Sequence, residues 1–281
     1  MNVIQALSMG NDFLKSNSIK SYIIDSEILL SEVLKIERKD IILNQSTELT
    51  SENIDDYKTL LSKRSKQEPI VYLTNKKEFW KHEFVVNKNV LIPRPETEFI
   101  VDECLKLTKN KSNLRLLDIG IGSGCILLSI LSEREDFKGI GIDINKEAIE
   151  NSMLNAKKLL LDKRVKFIKS DIDNFNNGKY DIVVTNPPYI NNIEYNNLDG
   201  CVKNYEPSSA LKGGIDGLKI INKVIKKSAV LIKKQGKLII EFAYNQKLGV
   251  EKILKANGFF INKVIKDFSG HNRVIVSTKK N

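Results

Sequence analysis

The chain has 281 residues, 41% hydrophobic and 28% charged, an ordinary globular composition with no low-complexity tract and no apolar run near the ~20 residues of a membrane helix. Its three cysteines, Cys104, Cys125 and Cys201, are far apart and have only His82 and His271 to help them, which excludes a disulfide framework and a zinc site, so no metal is expected. The net charge of +10 invites a nucleic-acid reading, yet residues 1–75 carry 9 Lys+Arg against 11 Asp+Glu and Lys outnumbers Arg 38 to 7, whereas phosphate and guanine contacts favour Arg.

The opening segment lacks a basic stretch followed by an apolar one, so an unprocessed cytoplasmic protein is expected. Through residue 73 apolar residues recur at helical spacing: Ile23, Ile24, Ile28, Leu29, Leu30, Val33 and Leu34, then Ile54, Tyr57, Leu60 and Leu61. Thr50 or Ser51 suits the N-cap of the later helix. A small helical bundle over 1–73 follows. Residues 78–96, EFWKHEFVVNKNVLIPRPE, are aromatic and β-branched with a turn candidate at Asn87–Asn89, so a β-hairpin linker is expected over 74–96. From 97 to 281 strands and helices alternate. LRLLD (114–118), GIGID (139–143), VKFIK (165–169), YDIVV (180–184) and KLIIEFA (237–243) are separated by helical stretches such as 146–160 and 216–234. This predicts an α/β, Rossmann-like domain built on a mostly parallel sheet. The last two strand-like runs are joined only by FSGH, too short for a crossover, so that pair must be antiparallel.

The first βα turn is DIGIGSG. Glycines at 120, 122 and 124 let the backbone turn tightly against a ligand at the carboxyl end of the sheet. A dinucleotide fingerprint would read G-x-G-x-x-G; here G-x-G-x-G follows an acid, which suits a ligand with an ammonium group and no phosphate. Asp118, Gly120, Ile121, Gly122, Ser123 and Gly124 are candidate contacts. Asp143, ending the next strand, is placed to accept both hydrogen bonds of a ribose diol, since Asn145 already suits the following helix cap. Asp171 ends the third strand, where an adenine amino group could donate to it. These features describe a pocket for S-adenosylmethionine. The fourth strand delivers NPPY. An amide nitrogen is a poor nucleophile, and catalysis can come from holding it against a methyl group while stabilising its developing charge. Asn186 offers a side-chain carbonyl to one N–H, Pro187 its backbone carbonyl to the other, Pro188 rigidity, and Tyr189 a ring to stack on.

With those residues in view, the chain from about Glu68 onward resembles the class I S-adenosylmethionine-dependent methyltransferases, and more narrowly the release factor glutamine N5-methyltransferases. The resemblance is carried by EPIVYL (68–73), EFWKHEFVV (78–86), VLIPRPETE (90–98), DIGIGSG, YDIVVTNPPYI, YEPSSAL (205–211), GGIDGL (213–218) and HNRVIV. It implies a helical substrate-recognition domain, a hairpin linker and a seven-stranded catalytic domain. The implied reaction is methylation of the glutamine in the Gly-Gly-Gln motif of peptide-chain release factors, leaving S-adenosylhomocysteine, in a monomer with neither nucleic acid nor membrane as partner. By position, Gly120, Gly122, Gly124, Asp143 and Asn186 fall on cofactor contacts, and Asn186 to Tyr189 on the substrate clamp. The family often has an aromatic residue after the acid of the third strand; here it is Ile172, with Phe175 the other candidate to cover adenine. Arg94 either borders the methionine end of the cofactor or serves as an ion-pair partner.

Two other readings share the motif NPPY: glutamine methylation of a ribosomal protein, and adenine-N6 methylation of nucleic acid. The second lacks a recognition module, because the extra domain is slightly acidic and repels phosphate.

Overall fold

The computed structural model describes residues 1–280. Five helices lead: α1 (Val3–Ser16), α2 (Tyr22–Leu34), α3 (Arg38–Leu43), α4 (Ser51–Ser65) and α5 (Ile70–Thr74). Asn2 caps α1 and Thr50 caps α4, each in a reciprocal box with the residue three places on, which satisfies amides that a helix start leaves free. Their apolar faces close on Val3, Ala6, Leu14, Leu29, Leu30, Ile41, Tyr57 and Leu61. Tyr57 is fully buried with its hydroxyl 2.6 Å from Ser26 Oγ, and burial pushes the phenol up to about 12. Helices α1 and α4 meet closely: a methyl added at Gly10 would lie 2.1 Å from that hydroxyl. The compact unit comprises Met1–Lys76 and a second segment, Asp199–Tyr205, whose Tyr205 hydroxyl donates to the Lys66 carbonyl at 2.7 Å. That segment contains a short helix, Gly200–Lys203.

The other unit begins at Lys77 and excludes only Asp199–Tyr205. Strands β1 (Lys76–Phe79) and β2 (His82–Val85) form a two-stranded hairpin. Its turn is Trp80–Lys81, not the expected Asn87–Asn89. Trp80 takes a left-handed conformation, φ +57°, because its amide donates to Glu98 Oε1 and its indole to Glu133 Oε1, both at 2.8 Å. The turn at Asn87, closed by the Val90 amide on the Asn87 carbonyl at 3.1 Å, instead follows the hairpin.

A 3-10 turn at Pro95–Thr97 leads into α6 (Glu98–Thr108), then β3 (Arg115–Ile119), α7 (Cys125–Glu133), β4 (Lys138–Asp143), α8 (Lys146–Lys158), β5 (Val165–Lys169) and β6 (Tyr180–Thr185). After β7 (Ile190–Asn191), α9 (Asn192–Asn196) and α10 (Gly200–Lys203) come β8 (Lys212–Gly214), α11 (Lys219–Leu231), β9 (Ile232–Glu241), α12 (Lys247–Ala256), β10 (Phe259–Lys266) and β11 (Asn272–Lys279). The main sheet has seven strands in the order β10-β11-β9-β6-β3-β4-β5. Strands β9, β6, β3, β4 and β5 are parallel, and β11 runs antiparallel to both neighbours, to β10 as their short connection requires. Strand order reverses beside β3 and β6, so the crevice at their carboxyl ends is where a ligand fits such a sheet. Leu117, Ile119, Val183, Leu238 and Ile240 line one face and pack against Ile221, Val224 and Ile225 of α11 and Val250 and Leu254 of α12. No described helix is long and apolar enough to cross a membrane.

Candidate active site

At the end of β3 the chain turns through three glycines with positive φ: +76° at Gly120, +54° at Gly122 and +84° at Gly124. L side chains rarely adopt such angles, so glycine makes this turn possible. A methyl added at Gly120 or Gly122 would meet nothing within 4 Å, so both face open space, whereas at Gly124 it would lie 2.9 Å from Leu128 Cδ1. The Gly120 and Ile121 amides both donate to the Ile142 carbonyl at 2.9 Å, fixing the turn against β4. The open space is a cavity of about 410 Å³. Gly120 to Ser123, Asp143 to Asn145, Ser170 to Ile172 and Asn186 to Pro188 border it, one stretch from the end of each of four parallel strands. Arg94, Thr97, Pro207, Ser209 and Ala210 also border it.

The three acids differ in placement. Asp143 is at the wall: Oδ2 accepts from the Gly122 amide at 3.1 Å and Oδ1 from the Asn145 amide at 2.9 Å, leaving each oxygen a further lone pair. Burial raises its carboxyl above the usual range, offset by those amides and that of Ile144. Asn145 caps α8, accepting from the Glu147 amide at 3.0 Å. Asp171 also borders the cavity, and its Oδ1 accepts from the Asp173 amide at 2.9 Å. Asp118 does not line the cavity. It is fully buried, and burial drives its carboxyl well above the usual range, with a partial pull the other way from the Leu127 amide of α7. Ile172 is in the wall, while Phe175 belongs to the core. Gly124 starts α7 behind the wall.

At the end of β6, Asn186, Pro187 and Pro188 face the cavity and Tyr189 does not. The Asn186 amide Nδ2 donates to Thr97 Oγ1 at 3.0 Å; Thr97 Oγ1 donates to Glu241 Oε2 at 2.7 Å; Tyr189 donates its hydroxyl to Glu241 Oε1 at 3.0 Å. Glu241, at the end of β9, is 1% exposed, and burial pushes its carboxyl up to about 6 against the pull of Thr97, Tyr189 and Arg273. The Tyr189 phenol is raised by burial and by Glu241, and its backbone carbonyl accepts from Gln246 Nε2 at 2.8 Å.

Residues 5–74 match the PrmC N-terminal domain and residues 110–273 a methyltransferase domain. A release factor glutamine methyltransferase of Caulobacter vibrioides is 36% identical over 280 residues, covering 99% of this chain and 97% of its own. The Buchnera aphidicola (subsp. Baizongia pistaciae) protein of the same name is 40% identical over 257 residues, 92% of each chain. The chain belongs to the release factor glutamine methyltransferase family. Among solved structures, a ribosomal protein methylase from Lactobacillus delbrueckii subsp. bulgaricus superposes with a TM-score of 0.51 at 17% identity, covering 67% of this chain and 81% of that one, a likeness of fold.

Within that family site the sequence reading missed three residues. Thr97 lies in the run PETE (95–98), and Glu241 in IIEFA (239–243). Both are polar residues on apolar or capping segments, and such a residue buried is a signal that it has a partner. Glu206, in YEPSSAL, has a 1% exposed side chain. It accepts the Ile92 amide at 3.2 Å and pairs with the Arg94 guanidinium, so Arg94 is both an ion-pair partner and part of the cavity wall.

Proposed function

We propose that this chain transfers a methyl group from S-adenosylmethionine to the side-chain amide nitrogen of the glutamine in the Gly-Gly-Gln motif of peptide-chain release factors. The observation that carries the reading is a carboxamide, Asn186, held at the wall of a glycine-turned cavity with its oxygen bonded to no described residue, in a chain related along its whole length to proteins of that name. The cavity fits the cofactor: two glycines face open space where any other residue would fill it, and Asp143 keeps a lone pair on each oxygen. Gly120 to Gly122 would hold it closely through their backbone, Asp143 would accept from a ribose diol, and Ile172 would pack on the adenine. Its chemistry is an electrophilic methyl group on a sulfonium sulfur. Asn186 Oδ1 and the Pro187 carbonyl each accept one N–H of the substrate amide. They fix the nitrogen in place and draw off the positive charge that develops there. No strong base is needed, because the methylated nitrogen sheds its proton readily.

We assign residues 1–73 to choosing the substrate, 74–96 to a linker and 97–281 to the reaction; the separate match of residues 5–74 to an N-terminal domain supports this. That substrate puts the reaction in the cytoplasm, and a monomer suffices for it. Nucleic acid is disfavoured by the acidic balance of residues 1–75. The test is to incubate the purified protein with methyl-labelled S-adenosylmethionine and, in parallel, a release factor, ribosomal proteins or adenine-containing DNA. Label on the release factor glutamine, located by peptide mass spectrometry, is expected. Label only in DNA or in ribosomal protein would sink the reading.

A further inference from the structure

The two ends of an asparagine carboxamide are nearly alike in shape, but only the oxygen can accept an N–H from an amide substrate. Turned round, Asn186 would present its own amino group to the substrate's. What holds it the right way round therefore decides whether the clamp works.

Its amino end donates to Thr97 Oγ1, and Thr97 has a single hydroxyl hydrogen. That hydrogen is claimed by Glu241 Oε2, while Oε1 takes the hydrogen of Tyr189. An ionised carboxylate can only accept, so both hydroxyls must donate to it. Thr97 then presents Asn186 with lone pairs alone, and only the amino end of the carboxamide satisfies them. We infer that Glu241 and Thr97 are positioning residues that fix the carboxamide of Asn186 with its oxygen toward the substrate, and that Tyr189 anchors the carboxylate. This rests on the glutamine methyltransferase reading. It also gives Tyr189 a role through its hydroxyl, away from the cavity wall.

The device depends on the charge of Glu241. A proton on that carboxyl supplies one extra hydrogen. Donated to Thr97 Oγ1, it frees the threonine hydroxyl to donate toward Asn186, which then favours the reversed carboxamide. The groups acting on Glu241 are Thr97 and Glu96 from the 3-10 turn, Tyr189 beyond β6, Arg273 of β11 and Cys125 of α7. Arg273 and the two hydroxyls favour the charge, burial and Glu96 oppose it, and the balance falls at about 6.

The experiment measures kcat and KM of the full chain on a release factor, from about pH 5 to about pH 8, for wild type, Thr97→Val, Thr97→Ser and Glu241→Gln. Thr97→Val is expected to lower kcat on the order of 100-fold while S-adenosylhomocysteine binding stays within about twofold. Thr97→Ser, which restores the hydroxyl, recovers most of the turnover. Wild-type kcat falls about tenfold per pH unit below about 6. Glu241→Gln keeps an oxygen for Thr97 and cannot titrate, so it lacks that acid limb. Wild-type kcat in Thr97→Val, a loss in Thr97→Ser as deep as in Thr97→Val, or an unchanged acid limb in Glu241→Gln overturns the inference. If Thr97→Val fails to fold, as its loss of S-adenosylhomocysteine binding would reveal, the Glu241→Gln profile still decides. A wild-type protein that leaves release factor unlabelled defeats the functional reading instead.

Discussion

Asn186 is the one side chain through which the NPPY segment reaches both the cavity and the buried network, so its loss separates binding from chemistry. Asn186→Ala removes the acceptor proposed for the developing charge but leaves Asp143 and the glycine turn intact. Turnover is expected to fall by ~100-fold or more, the scale of losing one positioned polar group, with S-adenosylhomocysteine affinity by calorimetry little changed. Near-normal turnover would remove Asn186 from the clamp. Glu241 carries a stability consequence of its own. Its carboxyl is raised from 4.5 to about 6 by burial, so the folded state holds this proton more tightly than the unfolded chain. The stabilisation it contributes is present in full below pH 4.5 and lost as pH rises through 6, and the difference amounts to about 2 kcal/mol. In urea unfolding the stability of wild type relative to Glu241→Gln should therefore fall by about that amount as pH rises across that window. A constant offset between the two would show that Glu241 does not titrate there.

Asn155, on α8, ties three elements together. Its Oδ1 accepts the Val85 amide at 2.8 Å, and its Nδ2 donates to the Val85 and Ser123 carbonyls at 2.9 Å, joining β2, α8 and the glycine turn. The residue is fully buried. Asn155→Ala would leave an amide and a carbonyl group without this partner, although Asn151 Nδ2 still donates to Val85 at 2.8 Å. The expected loss is roughly 2–4 kcal/mol in urea unfolding, with weaker S-adenosylhomocysteine binding as the glycine turn loosens; a change below about 1 kcal/mol would show that water replaces the bonds. Nothing in the helical period of residues 146–160 marks Asn155, since its partners lie 70 and 32 residues away. The hairpin turn escaped notice for the same reason: the side chains holding Trp80 at positive φ come from Glu98 and Glu133, and no Asn-Gly signal betrays it. What local chemistry decides was legible. Thr50 and Asn145 cap their helices, the FSGH connection makes β10 and β11 antiparallel, and the glycine turn and Asn186 reach the cavity. Asp118 shows the limit: being at a strand end is a local fact, while lying beneath α7 instead of facing the cavity is set by tertiary packing.

Two hydrophobic cores among the described residues share no residue, one around Leu29 and Tyr57, the other around Leu117, Val183 and Leu238. A ligand that binds the folded state stabilises the unit that carries its site, by about 2.7 kcal/mol at 100 times its Kd. Every described residue that lines the cavity belongs to the second unit. The chain's single tryptophan, Trp80, belongs to that unit, with its indole hydrogen-bonded to Glu133. Tryptophan fluorescence therefore reports the cavity-bearing unit alone, and hydrogen exchange of the amides around Leu29 and Tyr57 reports the helical one. Saturating S-adenosylhomocysteine is expected to raise the fluorescence midpoint by roughly 5–11 °C, while exchange in the helical core stays within a few-fold of its ligand-free rate. Equal protection of both cores would show that they open as one cooperative unit, so that cofactor binding at the glycine turn also steadies the helices assigned to choosing the substrate.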